Sequence, residues 1–161
     1  MKILLFTTVL FTGLVSGLLY AYSCSVNPAF KSLDDAAYIK AMQAINASIQ
    51  NLVFFIPFMG LLLLFPITGW QLYRVHSAAL LPFCIAAGIY FVGVFAVTVL
   101  FNVPLNEKLA DFTLETANTA SINQMRHLFE NSWGLYHTVR SVAALIAFSM
   151  TIFGLFTFKN I

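Results

Sequence analysis

The sequence predicts an all-α fold: one domain over residues 1–161, an integral membrane four-helix bundle with short amphipathic helices in the two extracytoplasmic loops. Three observations carry this. Four apolar stretches, at about 3–22, 52–72, 78–101 and 133–158, are each long enough to cross about 30 Å of hydrocarbon, which takes roughly 20 helical residues. The chain is 60% hydrophobic and only 9% charged, against about 25% charged in an average soluble domain. None of the runs alternates as a barrel strand does, and in lipid each backbone polar group has to be satisfied within its own segment, so the runs are helices.

The first span also has features of a secretory signal: Lys2, an apolar core, then Ala21-Tyr22-Ser23-Cys24. Its apolar run exceeds a signal h-region, so a retained helix is expected. The second and third spans contain Pro57, Pro66 and Pro82, which membrane helices tolerate. Gly13 and Gly17 have the small-xxx-small spacing that permits close helix contact. Basic residues of short loops set topology. Lys2, Arg74 and Lys159 fall on one side of a four-pass chain, which predicts an inner cell membrane location with both termini cytoplasmic.

The two longer loops then share the opposite side. In the first, Ser32 and Asp35 fit a capping-box spacing, and Tyr38, Met42, Ile45 and Ile49 repeat at helical spacing. In the second, Asn106 is placed to cap a turn after Pro104, and Ile122, Met125 and Phe129 form another apolar stripe.

Composition excludes several classes of function. The net charge is +2 with no basic run, so nucleic acid is not a partner; the bilayer and a lipophilic small molecule are. Cys24 and Cys84 stand in different apolar segments and make neither a disulfide framework nor a zinc motif. No phosphate loop, dinucleotide fingerprint or nucleophile elbow is present. Small residues and exposed apolar faces allow homo-oligomers.

The informative residue is Arg140, about two turns inside the fourth span. A charge there is expensive, so it is expected to face the bundle interior, a cavity or a partner. His137 and Trp133 precede it by three and seven residues and share its helical face. Tyr20, Tyr22, Ser23 and Asn27 arrive at the same membrane level from the first helix, Asn102 and Asn106 from the third, and Asn46 and Gln50 from the first long loop. Polar groups converging at one end of an apolar bundle are what a binding pocket requires. The alternative is structural: Arg140 snorkels to lipid phosphate and the aromatics form an interfacial belt. A metal or haem held through His127 and His137 is a further alternative.

Several segments together resemble a known family. They are Gly17-Leu18-Leu19-Tyr20-Ala21-Tyr22-Ser23, Asn27-Pro28, Ala41-Met42-Gln43-Ala44-Ile45-Asn46, Phe101-Asn102-Val103-Pro104-Leu105-Asn106, and Trp133 through His137-Thr138-Val139-Arg140. The chain resembles the anthrone-oxygenase-like family of small four-helix membrane proteins over nearly its whole length. The resemblance implies oxidation of a lipophilic aromatic or quinone-like molecule, with molecular oxygen and no further cofactor; haem or copper is the alternative. Here His137 suits a general base and Arg140 suits stabilisation of an oxyanion. Asn102 and Asn106 are placed to orient oxygens, and Tyr20, Tyr22 and Trp133 to stack on rings. The competing readings are a non-enzymatic protein that binds lipid, quinone, haem or metal, and an interaction subunit of a larger membrane complex.

Overall fold

In the computed structural model residues 1–158 are described. They form five helices and no strand: α1 (Lys2–Lys31), α2 (Asp35–Ser48), α3 (Leu52–Arg74), α4 (Leu80–Ala110) and α5 (Thr119–Thr157). All but α2 are long and apolar enough to span a membrane. They pack as a ring in which α1 touches α3 and α5, and α4 touches α3 and α5. Short connections fix this antiparallel order, because each helix must return beside the one before it. Lys159, used above for orientation, lies outside the described residues.

The bundle buries polar and small groups and turns much of its bulky apolar surface outward. On α1 the buried face includes Leu5, Thr8, Thr12, Val15, Ser16 and Leu19, while Ile3, Phe6, Leu10 and Leu14 are exposed. That pattern suits a lipid solvent, since lipid tails reward outward leucine as well as a core would. Both buried threonine hydroxyls of this face bond locally, Thr8 Oγ1 donating to Leu4 O at 2.8 Å and Thr12 Oγ1 to Thr8 O at 2.6 Å, whereas the buried Ser16 Oγ has no partner. Thr8 and Thr68 also bond across α1 and α3 at 2.9 Å.

Three apolar clusters stack along the bundle. One, containing Leu5, Leu72, Ala79 and Phe83 with Phe158 against it, lies at the end that carries the chain termini. A middle cluster joins Val15, Phe58, Leu61, Phe65, Tyr90, Val94 and Ala147, and Tyr90 donates its hydroxyl to Phe58 O at 2.8 Å. The third, with Tyr38, Ile39, Met42, Leu109, Phe129 and Trp133, lies at the distal end under α2.

The spans run beyond the expected limits at the distal end. Apolar counting detects only the lipid-facing length, whereas backbone hydrogen bonding continues past it. The expected separate helix of the second loop is therefore the front of α5, and its stripe of Ile122, Met125 and Phe129 belongs to that continuous helix. α4 likewise runs through Pro104, which follows the π-helical turn Thr98–Asn102 and is tolerated inside a membrane helix. Asn106 lies inside α4 rather than capping a turn.

The cap of α2 is Asp34, not Ser32. Its backbone is extended and its carboxylate accepts from Ala37 N at 2.8 Å, the conformation an N-cap needs. Ser32 instead donates back to Ala29 O at 2.7 Å. Asn51 and Asn118 cap α3 and α5 in the same manner as Asp34.

Gly13 receives the Phe148 ring, and Gly17 has no neighbour where a Cβ would stand. The close backbone approach lies at Gly93 on α4, where an added Cβ would sit 2.6 Å from the Ala143 Cβ of α5. Arg126 on α5 holds the loop before α2. It donates to Leu33 O at 2.6 Å, to Asp35 Oδ1 at 2.9 Å and to Glu130 Oε2 at 3.1 Å. Its guanidinium also lies 4.7 Å from the centroid of the Tyr38 ring. Burial, with the Glu130 charge adding to it, raises the Tyr38 phenol pKa, so Tyr38 stays neutral under this cation.

Two predictions follow from this packing. Gly93→Ala should force α4 and α5 apart and lower stability in detergent by about 1–3 kcal/mol, whereas Gly69→Ala, with open space at its Cβ position, should not; graded denaturation followed by circular dichroism reads both. The Asp35 carboxyl is held below its usual range by the Asn123 side-chain hydrogen bond and by Arg126. A lowered folded pKa gives a contribution that is full above the unfolded value of about 3.9 and is lost as pH falls through the folded value. Amide exchange in α2 should therefore accelerate only in acid, and Asp35→Asn should remove that acid dependence.

Candidate functional site

The distal half of α5 is organised by residues four apart. Phe129, Trp133 and His137 stand above one another on one face and their rings stack. Phe129 and Trp133 are 5.9 Å apart at 22°, and Trp133 and His137 are 4.9 Å apart at 5°. Seven residues after Trp133, the Arg140 guanidinium lies 5.2 Å from the indole centroid. One indole thus carries an imidazole and a guanidinium. All three rings are buried, so these groups interact in a medium of low polarity where charges are weakly screened.

The neighbouring helices meet this column with π-helical turns. Tyr22–Val26 of α1 and Thr98–Asn102 of α4 have this geometry. A π turn adds a residue and rotates the following side chains, and such turns recur at functional sites. From the first, Ser23 Oγ lies 3.0 Å from His137 Nε2, and Ser141 Oγ lies 3.3 Å from the same nitrogen. Tyr22 sits against both other rings, 6.3 Å from Trp133 and 5.9 Å from His137. From the second, Thr98 Oγ1 accepts from Arg140 Nη1 at 3.4 Å, and buried Asn102 donates its Nδ2 to Trp133 O at 3.5 Å.

Arg140 has no carboxylate partner among the described residues; the ion pairs there are those of Arg126 with Asp35 and Glu130. Its Nε is buried without a hydrogen bond, as are Trp133 Nε1, His137 Nδ1, Asn102 Oδ1, Asn106 Oδ1 and Asn46 Nδ2. Buried polar atoms are normally paired. Here the unpaired ones concentrate on residues of α2, α4 and α5 at the distal end, and they include both donors and acceptors.

A cavity of about 390 Å³ opens beside this group, lined by Ser23, Asn27, Tyr38, Trp133, His137 and Thr138 among others. Its size falls within the usual range for small-molecule sites, about 300–1,000 Å³. Lys31 and Glu130 also line it, so it has charged groups as well as an aromatic wall. Arg140 is not among its lining residues; it adjoins the site through Trp133.

The candidate residues named from sequence separate accordingly. Trp133, His137 and Asn27 line the cavity; Tyr22 touches the ring column; Arg140 and Asn102 adjoin Trp133 from the α4 side. Asn46 is buried in α2, and Asn106 is half-buried one turn beyond Asn102. Tyr20 lies apart from this group: it is 56% exposed. With Leu19 and Ser23 facing inward, the helical rotation turns Tyr20 outward. His127 also lies apart. It is exposed and ten residues from His137 on the same helix, about 15 Å at the helical rise, too far for the two to share an ion. Among the described residues no cluster of three His, Cys, Asp or Glu side chains is placed to hold a metal.

Sequence reasoning passed over Ser141, Thr98 and Gln43. Ser141 is four residues after His137 and was detectable by the same spacing. Thr98 is four before Asn102. Gln43 Nε2 bonds Leu109 O at 2.8 Å and Phe112 O at 2.9 Å, tying α2 to the end of α4; no local pattern announces that contact.

No curated protein and no solved structure matches the chain. A family model described as anthrone oxygenase matches residues 3–150. That stretch takes in the first three membrane-spanning segments almost entirely, the fourth as far as residue 150, the π turns and the whole ring column through Arg140. On that coverage, the chain belongs to the anthrone oxygenase family.

Proposed function

We propose that the protein is a membrane-embedded oxidoreductase that uses molecular oxygen to convert the acidic methylene of a flat, lipophilic aromatic ketone, an anthrone, to a carbonyl. The observation that carries this reading is the single indole bearing a histidine and an arginine, each with an unpaired buried nitrogen and no carboxylate beside the arginine. An uncompensated buried cation favours an anionic partner, and the enolate of a ketone is one that can enter from lipid.

In this reading the substrate slides from the bilayer into the cavity and seats its rings against Trp133, His137 and Tyr22. His137 accepts a proton from the methylene. The charge that develops on the ketone oxygen is stabilised by Arg140, aided by the low polarity around it. The electron-rich anion then reduces oxygen at the former methylene carbon. A carbon–oxygen bond forms, and the peroxide anion takes up the proton held by His137. Loss of water from this hydroperoxide leaves the new carbonyl. The methylene gives up four electrons; one oxygen atom ends in the carbonyl and the other in water. No further oxidant is required. Asn27, which lines the cavity, orients the polar substituents, Asn102 holds the Trp133 backbone behind it, and the bundle stands with both termini cytoplasmic.

Purified protein supplied with anthrone should consume oxygen and form anthraquinone. His137→Ala should lower kcat by about 10²–10⁴, the usual range for a lost general base. Arg140→Gln should lower it by about 10²–10³, as loss of an oxyanion-stabilising donor does. Undiminished turnover in both folded variants would reject the assignment.

A further inference from the structure

We propose that Ser23 and Ser141 lock His137 as the tautomer protonated at Nε2, leaving the Nδ1 lone pair as the base. The proposal rests on the reaction just described, because it names the nitrogen that takes the substrate proton. Its evidence is a count of hydroxyl protons around one ring.

Each serine has a single proton to donate. Ser141 Oγ lies 2.7 Å from His137 O and 3.3 Å from His137 Nε2. The shorter contact takes its proton, and the oxygen then faces Nε2 with lone pairs. Ser23 Oγ lies 3.0 Å from Nε2, 3.1 Å from Leu19 O and 3.3 Å from Ser141 Oγ, so length alone does not choose its acceptor. Donation to the carbonyl four residues earlier is the habit of this chain: Thr7, Thr8, Thr12, Thr98, Thr138 and Ser149 all do it. With both serines donating to backbone, Nε2 faces two acceptor oxygens and must carry the proton.

The opposite assignment leaves a worse balance. If Ser23 donated to Nε2, the ring proton would sit on Nδ1, which is buried with no partner. Buried orphan N–H groups are rarer than under-satisfied acceptors. Protonation at Nε2 leaves Nδ1 as an unpaired lone pair on the edge of a ring that lines the cavity, free to take a proton. Ser23 comes from the π turn of α1 and Ser141 from α5, so the helix–helix contact itself sets the tautomer. Both serines are positioning residues, since they act through the imidazole.

Nitrogen NMR of full-length protein labelled with ¹⁵N-histidine, in lipid nanodiscs, tests this directly. His137→Gln identifies the signal against His76 and His127. Wild type should show a protonated Nε2 and a bare Nδ1, and the Ser23→Ala/Ser141→Ala double variant should move toward a mixture of tautomers. That variant should also lose about ten-fold or more in kcat for anthrone-dependent oxygen uptake, because the wrong tautomer disables a histidine base, with KM little changed. A wild-type signal protonated at Nδ1, or a double variant with an unaltered spectrum, overturns the proposal. The spectrum needs no substrate. A bare Nδ1 in a protein that consumes no oxygen therefore sinks the reaction while the tautomer assignment stands, whereas oxygen uptake with a protonated Nδ1 sinks only the tautomer.

Discussion

Inside a bundle clad in hydrocarbon, a guanidinium must be satisfied by the protein, and Arg140 is satisfied only in part. It has the indole of Trp133 beneath it, one contact with Thr98 and no carboxylate within ion-pair distance among the described residues. Most of the distal end follows from accommodating it. Aromatic faces hold cations without neutralising them, so the positive charge stays available. Thr98 and Asn102, which bring α4 to Arg140 and to the Trp133 backbone, lie in one π turn. The same residues that tolerate the charge leave its Nε without a hydrogen bond.

Two cations on α5 show the contrast. Arg126 is nearer the distal tip and fully engaged, bonded to two carboxylates and to backbone carbonyls of the α1–α2 connection. It holds α2 over the end of the bundle. Arg140 is deeper and under-satisfied. The first is bonded through all three of its nitrogens; the second keeps a buried Nε with no partner. Both use an aromatic ring, Tyr38 in one case and Trp133 in the other, but only at Arg140 does the ring stand in for the counter-ion.

The membrane shapes the site in another way. A bundle whose outer surface is leucine, isoleucine and phenylalanine gains little from burying more of them. Its interior can then hold threonine, serine, asparagine and histidine, as Thr8, Thr12, Ser16, Asn102, His137 and Ser141 show. Hydroxyls that bond to their own helix are already satisfied and add no penalty. Ser23 and Ser141 extend that habit to His137, so an imidazole is anchored with no carboxylate behind it.

Much of this was legible in the residues alone. Four apolar runs determined four spans, because hydrocarbon admits no other backbone. The three-, four- and seven-residue spacings determined that Trp133, His137 and Arg140 share a face, because an α-helix repeats every 3.6 residues. The family followed from segments spread along the chain. Tertiary structure decided what local periodicity does not encode. The π turns rotate Ser23 and Asn102 onto α5, and Tyr20, one of a run of tyrosines, falls outside. Gly13 and Gly93 make close helix contacts and Gly17 does not, because which face of a helix meets a neighbour depends on all four helices at once. Ring stacking, the engaged Nε2 and the unanswered nitrogens of His137 and Arg140 are properties of packing between distant segments, and only the assembled bundle contains them.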